Sequence, residues 1–172
     1  YINDRPSAFR YPRGVGVGMD IPDISEKLVI GKGRIIKEGK KVALLNFGTR
    51  LKECLIAEEN LKKKGIDLTV VDARFAKPLD ENLIWQVATN HEVIITIEEG
   101  AIGGFGSHVN YFLNEKNLLD NNLKFRSMIL PDKFIDHNKP EEMYKDAGLD
   151  AKSIELKVLE TLNSKVLIKK IN

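Results

Sequence analysis

Apolar residues in this chain fall in short runs, and each run is followed by a segment with helical spacing. Val42–Phe47 (Val-Ala-Leu-Leu-Asn-Phe), Leu68–Asp72 and Val93–Ile97 are near-continuously apolar and of strand length. Such runs predict strands buried on both faces. Phe125–Ile129 predicts a last strand, and Gly33–Lys37 a short one that turns at Glu38-Gly39. Between them the period changes. Leu51, Cys54, Leu55 and Leu61 lie near one face of a helix over Leu51–Lys64, with Thr49 as N-cap and Gly65 just past its end. Further helices are predicted near Glu81–Asn90, with Asp80 as N-cap, and near Ser107–Glu115. Two more follow at 141–146 and 150–162, the second with Ile154, Val158 and Leu162 at i, i+4, i+8.

Alternating strands and helices predict an α/β fold, a mainly parallel sheet of about five strands flanked by helices. The regular pattern covers residues 33–163. Residues 1–18 read as a short strand and a Pro/Gly-rich turn, 19–32 as a linker, and 164–172 as a lysine-rich tail.

Composition narrows the function classes. Of 172 residues, 42% are hydrophobic and 30% charged, which suits a packed core under an ordinary hydrated surface. The net charge of +2, with lysines dispersed among acidic residues, lacks the basic stripe of a nucleic-acid binder. One cysteine excludes an internal disulfide, and with three scattered histidines it offers no metal site. No apolar run approaches the ~20 residues that cross a bilayer as a helix. The chain begins Tyr1-Ile2-Asn3-Asp4-Arg5-Pro6, without initiator Met or signal-peptide pattern, so we expect it to begin inside a longer protein.

Candidate chemistry sits in the loops. Arg13, in Arg10-Tyr11-Pro12-Arg13-Gly14, and Arg74, in Asp72-Ala73-Arg74-Phe75-Ala76-Lys77-Pro78, each follow a predicted strand. Parallel α/β sheets bind ligands at the carboxyl ends of their strands. A guanidinium fork suits bidentate contact with phosphate, so the pair suggests a site for an anionic, phosphorylated small molecule. Structural ion pairs are the competing account of either arginine. The loop Gly100–Gly106 joins a strand to a helix but is neither a dinucleotide fingerprint, since Val109 stands where the third glycine would fall, nor a phosphate-binding loop with its lysine. Its glycines are better read as allowing close packing of helix on strand. Glu98 and Glu99 are adjacent on a strand and face opposite ways, so one of them is expected to cap the glycine loop rather than join an acid/base pair. His91 and His108 are isolated. His137, beside Asp136, is a candidate accessory residue because the aspartate could fix its tautomer. Cys54 reads as a small core residue.

Taken in order, several segments resemble 1-deoxy-D-xylulose-5-phosphate synthases. They are Arg10-Tyr11-Pro12-Arg13-Gly14, Ile30-Gly31-Lys32-Gly33, Ala43-Leu44-Leu45-Asn46-Phe47-Gly48-Thr49, Val71–Asp80, Glu98-Glu99 with Gly103–Ser107, Leu130–Phe134, and Ala147–Ala151. The resemblance covers about residues 3–162. That family is similar to transketolases. It condenses pyruvate, with loss of CO2, with glyceraldehyde 3-phosphate, for isoprenoid, thiamine and pyridoxal phosphate synthesis.

The resemblance implies three α/β domains in the whole enzyme. Residues 1–18 would end the pyrimidine-binding domain, and 33–163 would form the C-terminal domain. Arg13 and Arg74 match the family's arginines for the acceptor phosphate, and Tyr11 beside Arg13 is a further accessory candidate. Catalytic, cofactor and metal ligands are expected in the enzyme's other domains, none in this chain. Thiamine diphosphate and Mg2+ are the implied cofactors. The N-terminal portion of the same enzyme, in a homodimer, is the implied partner, and bacterial cytoplasm, or a plastid-type organelle, the implied compartment. The alternatives are another thiamine enzyme, either transketolase or the beta subunit of a 2-oxo acid dehydrogenase, or a non-catalytic assembly or anion-binding module.

Overall fold

The computed structural model describes residues 3–6 and 27–162. Arg13 and Tyr11 lie outside the described residues. Five strands form one sheet: β1 (Arg34–Lys37), β2 (Val42–Phe47), β3 (Leu68–Asp72), β4 (Val93–Glu98) and β5 (Lys124–Met128), in the order β1-β3-β2-β4-β5. The last four are mutually parallel, and β1 joins β3 antiparallel at one edge. The mainly parallel five-stranded sheet expected from the sequence is therefore present.

Each parallel crossover carries a helix: α1 (Leu51–Lys62), α2 (Glu81–Asn90) and α3 (Phe105–Glu115). Two more, α4 (Pro140–Asp146) and α5 (Ala151–Thr161), follow β5. Strand residues alternate between two cores. Val42, Leu44, Val70, Ile95 and Ile97 pack under α1 and α5, whereas Ala43, Leu45, Val71 and Ile94 pack under α2 and α3. Helices on both faces explain why these strands read as apolar runs rather than as alternating patterns.

Local sequence sets the helix ends. Asp80 caps α2 by accepting from the Leu83 amide at 3.2 Å, and Asp150 caps α5 by accepting from Ser153 at 3.0 Å. After α1 the chain reverses at Gly65, with φ +80°, while Ile66 N–H reaches back to the Leu61 carbonyl. One expectation fails. Thr49 is not the α1 N-cap; Arg50 occupies that position without a side-chain cap. The Thr49 hydroxyl turns instead to Glu99. A 3-10 turn at Leu118–Asn121, flanked by left-handed Asn117 and Asn122, was not expected from the sequence.

Cys54 is fully buried between α1 and the sheet, as its place on the apolar face predicts. Burial, chiefly, pushes its thiol from 9.0 up to about 12. A folded-state value above the unfolded one stabilises the fold fully below pH 9, and that contribution is lost as pH rises toward 12. At pH 8 the native thiol should resist a disulfide-exchange reagent and react fully in denaturant. Stoichiometric reaction of the native chain at the denatured rate would contradict this packing.

Candidate functional site

The strand order creates a topological switch. From β2 the chain passes through α1 to β3, then crosses back to β4 on the other side of β2. Such switch points, at the carboxyl ends of the strands, are where open α/β sheets hold ligands. Here the chain fills the β2/β4 crevice itself. Glu99, just after β4, accepts from Arg50 Nε at 2.9 Å and is hydrogen-bonded to the Thr49 hydroxyl. Arg50 lies over the Tyr144 ring of α4, 3.5 Å from its centroid. Burial first, and then the hydrogen bond to Glu99, raise the Tyr144 phenol above its ordinary value. Asn46 at the end of β2 is fully buried. Its amide donates to the Gly48 carbonyl at 2.8 Å, and its Oδ1 is the one buried unpaired side-chain atom among the described residues.

Glu98 faces the other way, as the strand period requires, and its role is structural. Its buried carboxylate accepts the first amides of α3, Phe105 N–H at 2.9 Å and Gly106 N–H at 2.8 Å. This replaces a side-chain N-cap, which Gly104 cannot supply, and places negative charge at the positive end of the helix. The glycines allow the approach: a Cβ on Gly106 would stand 2.6 Å from Thr96 Oγ1. The close-packing account of the glycine loop holds.

Arg74 lies at the carboxyl end of β3. It has φ +59°, a left-handed backbone uncommon for a long side chain. Phe75 N–H bonds the Ala73 carbonyl across it at 2.6 Å, closing a γ-turn. Residues held in such sparsely populated conformations cluster at ligand sites. Its Nε faces Asp72 Oδ2 at 3.6 Å, and the same oxygen accepts from Arg34 Nε of β1 at 3.1 Å. The register explains the meeting, since Arg34 stands directly opposite Asp72 in the β1–β3 pair. Sequence reasoning missed Arg34, because pairing between segments so far apart leaves no local signal.

The segment entering β1 is fastened by Asp80. Beyond capping α2, this buried carboxylate accepts from Gly33 N–H at 3.1 Å and Lys32 Nζ at 3.2 Å. Gly33 passes so close to the end of β3 that a Cβ there would meet the Asp72 carbonyl at 3.0 Å.

The histidines divide. His91 bridges α2 to β3: Nδ1 meets the Val87 carbonyl at 2.8 Å, and Nε2 meets the Thr69 hydroxyl at 2.7 Å. The carbonyl can only accept, so Nδ1 carries the proton. His137 is exposed on the β5–α4 loop, and no hydrogen bond joins it to Asp136, which is exposed as well. Asp136 therefore does not fix its tautomer here. Among the described residues no group of three or more His, Cys, Asp and Glu side chains could hold a metal ion. No helix of the described residues is long and apolar enough to cross a membrane.

The profile described as "Transketolase, C-terminal domain" matches residues 31–154. The chain belongs to the transketolase C-terminal domain family. Among solved structures it is similar to the inactive beta4 tetramer of a split-gene transketolase, with TM-score 0.72 and 29% identity over 80% of this chain. It shares its fold with a transketolase from Campylobacter jejuni (TM-score 0.56, 18% identity, 76% of this chain). A mutant transketolase from Pichia stipitis, in complex with xylulose 5-phosphate, is also similar in fold (TM-score 0.55, 13% identity, 77% of this chain). The chain spans 44% of the first of these proteins and 18% of each of the other two.

The Glu98 geometry gives a direct stability test. Glu98→Gln keeps the shape but turns one acceptor into a donor facing the α3 amides. It should cost about 2 kcal/mol in urea unfolding, the usual scale for a lost charge-assisted bond that leaves a buried donor unpaired. An unchanged unfolding midpoint would contradict the capping role.

Proposed function

We propose that this chain is the C-terminal part of a 1-deoxy-D-xylulose-5-phosphate synthase, and that Arg74 with Arg13 holds the phosphate of glyceraldehyde 3-phosphate. Membership of the transketolase C-terminal domain family supports a thiamine-enzyme context. The ordered motifs from Arg10 to Ala151 support the narrower reading. The observation that carries it is Arg74 itself: a guanidinium at the carboxyl edge of the sheet, in a strained turn, backed by a carboxylate.

In this reading residues 1–18 end the pyrimidine-binding domain, 19–32 are the linker, 33–163 form the C-terminal domain and 164–172 a tail. Thiamine diphosphate and Mg2+ are held by other domains, and when bound the cofactor supplies the carbon–carbon chemistry. No step through it is assigned to this chain, whose residues position the acceptor. Tyr11 and His137 remain accessory candidates. The N-terminal portion of the enzyme is the partner, in a homodimer of cytoplasmic or plastid type.

A transketolase proper is the second reading, favoured by the split-gene transketolase similar over 80% of this chain. Substrate use separates the two. A synthase forms product from pyruvate and glyceraldehyde 3-phosphate with release of CO2, whereas a transketolase requires a ketose phosphate donor.

Within the synthase, Arg74→Ala should raise KM for glyceraldehyde 3-phosphate at least tenfold, the scale of a lost charge-assisted contact, and leave KM for pyruvate unchanged. Steady-state kinetics with each substrate varied in turn checks this. An unaltered KM for the triose phosphate would remove Arg74 from the site.

A further inference from the structure

We infer that Arg34 is a further guanidinium of the Arg74 anion site, beside Arg74 and Arg13, and that Asp72 is the positioning residue holding Arg34 and Arg74. The inference rests on the phosphate reading of Arg74 and extends it to residues of β1 and β3.

Both arginines address one carboxylate oxygen, and each does so through Nε. Nε lies on the inner side of the guanidinium, so this contact leaves the terminal amino groups of both side chains available. A single carboxylate between two guanidinium groups leaves one positive charge over. It also offsets the repulsion that would otherwise drive the two cations apart. Asp72 is largely buried, Arg74 is a quarter exposed and Arg34 half exposed, so the carboxylate is the fixed member and Arg34 forms the open side of the cluster. A buried structural ion pair would need only one cation. Two cations sharing an acceptor, one of them in a left-handed turn, suit a dianionic phosphate monoester, which takes a fork from each.

The backbone makes the arrangement rigid. Arg34 and Asp72 are register partners, and the Ile35–Lys37 bulge lies farther along β1. Asp80 fixes the entry to the strand through Gly33 and Lys32. Neither arginine therefore has to be drawn in from a loose loop when an anion arrives, which lowers the ordering cost of binding.

The test uses the 172-residue chain and inorganic phosphate as probe. In two-dimensional 15N NMR at low salt, the Nε–Hε signals of Arg34 and Arg74 are assigned by the Arg34→Lys and Arg74→Lys variants. Both signals should shift with one common Kd. Arg34→Ala and Arg74→Ala should each weaken binding about tenfold, and Arg34→Lys should not restore it, because a point charge lacks the fork. Asp72→Asn is the decisive variant. It makes the chain more positive, so a merely competing carboxylate would give tighter binding; a positioning carboxylate gives weaker binding, by about fivefold or more on the scale of exposed-to-buried charge contacts. Thermal melts confirm that each variant is folded, and the signals of the unaltered chain decide the matter should one not fold. Loss of binding in Arg74→Ala alone, with Arg34→Ala and Asp72→Asn like the parent, would overturn the shared site and leave the role of Arg74 standing. Absence of any phosphate-dependent shift at either arginine would overturn both.

Discussion

A parallel sheet with helical crossovers gathers unpaired amides at one edge, and the disposal of those amides constrains this whole molecule. The first turn of every helix leaves N–H groups without partners, and crossovers place most of those turns beside the carboxyl ends of strands. Many α/β proteins use the resulting positive potential to hold a ligand anion. This chain uses its own carboxylates. Glu98 takes the first amides of α3, Asp80 caps α2, and Asp150 caps α5. Glu53 adds a bond to the Ala151 amide at the start of α5. The crevice between β2 and β4 is closed by the same means, with Glu99 satisfied by Arg50 and Thr49 and roofed by Tyr144. The first turns of α2, α3 and α5 are thus occupied by the chain's own carboxylates, whereas α1 and α4 begin without a side-chain cap.

Much of this was legible in the sequence. The bounds of β2 and β3 follow from their apolar runs, and Asp80 was identifiable as a cap because a short acceptor precedes a helical period. The opposed roles of Glu98 and Glu99 follow from strand alternation alone. Other features had no local signal. The antiparallel pairing of β1 depends on contacts between segments far apart in the chain. Tyr144 meets Arg50 only after the chain has crossed the sheet to β5 and returned. The 3-10 turn at Leu118–Asn121 is too short for periodicity to reveal it. The left-handed backbone of Arg74 could not be read at all, because sequence signals for that conformation come from Gly and Asn. Thr49 misled for a definite reason. A hydroxyl that can cap a helix can also donate to a carboxylate, and Glu99 competes for it successfully.

The contrast between the two arginines on the carboxyl edge clarifies which one can work. Arg50 is held at several points: its Nε bonds Glu99, one terminal nitrogen bonds Thr49, and its flat face covers Tyr144. Drawing it toward a ligand would break several contacts at once and leave Glu99 without its cation partner, so it is better understood as a closing element. Among the described residues Arg74 has one ion-pair contact, at a distance longer than a hydrogen bond, to a carboxylate already shared with Arg34. On the proposed phosphate reading, no well-formed bond among the described residues would have to break for the ligand to engage it. Alternation along an extended strand would already put residue 74 on the face of Asp72, so the φ of +59° is not what brings the two together; it bends the chain at the strand end while the guanidinium keeps its contact with Asp72. In the same proposed reading, the neighbouring carboxylate fixes where the cation stands before the anion arrives.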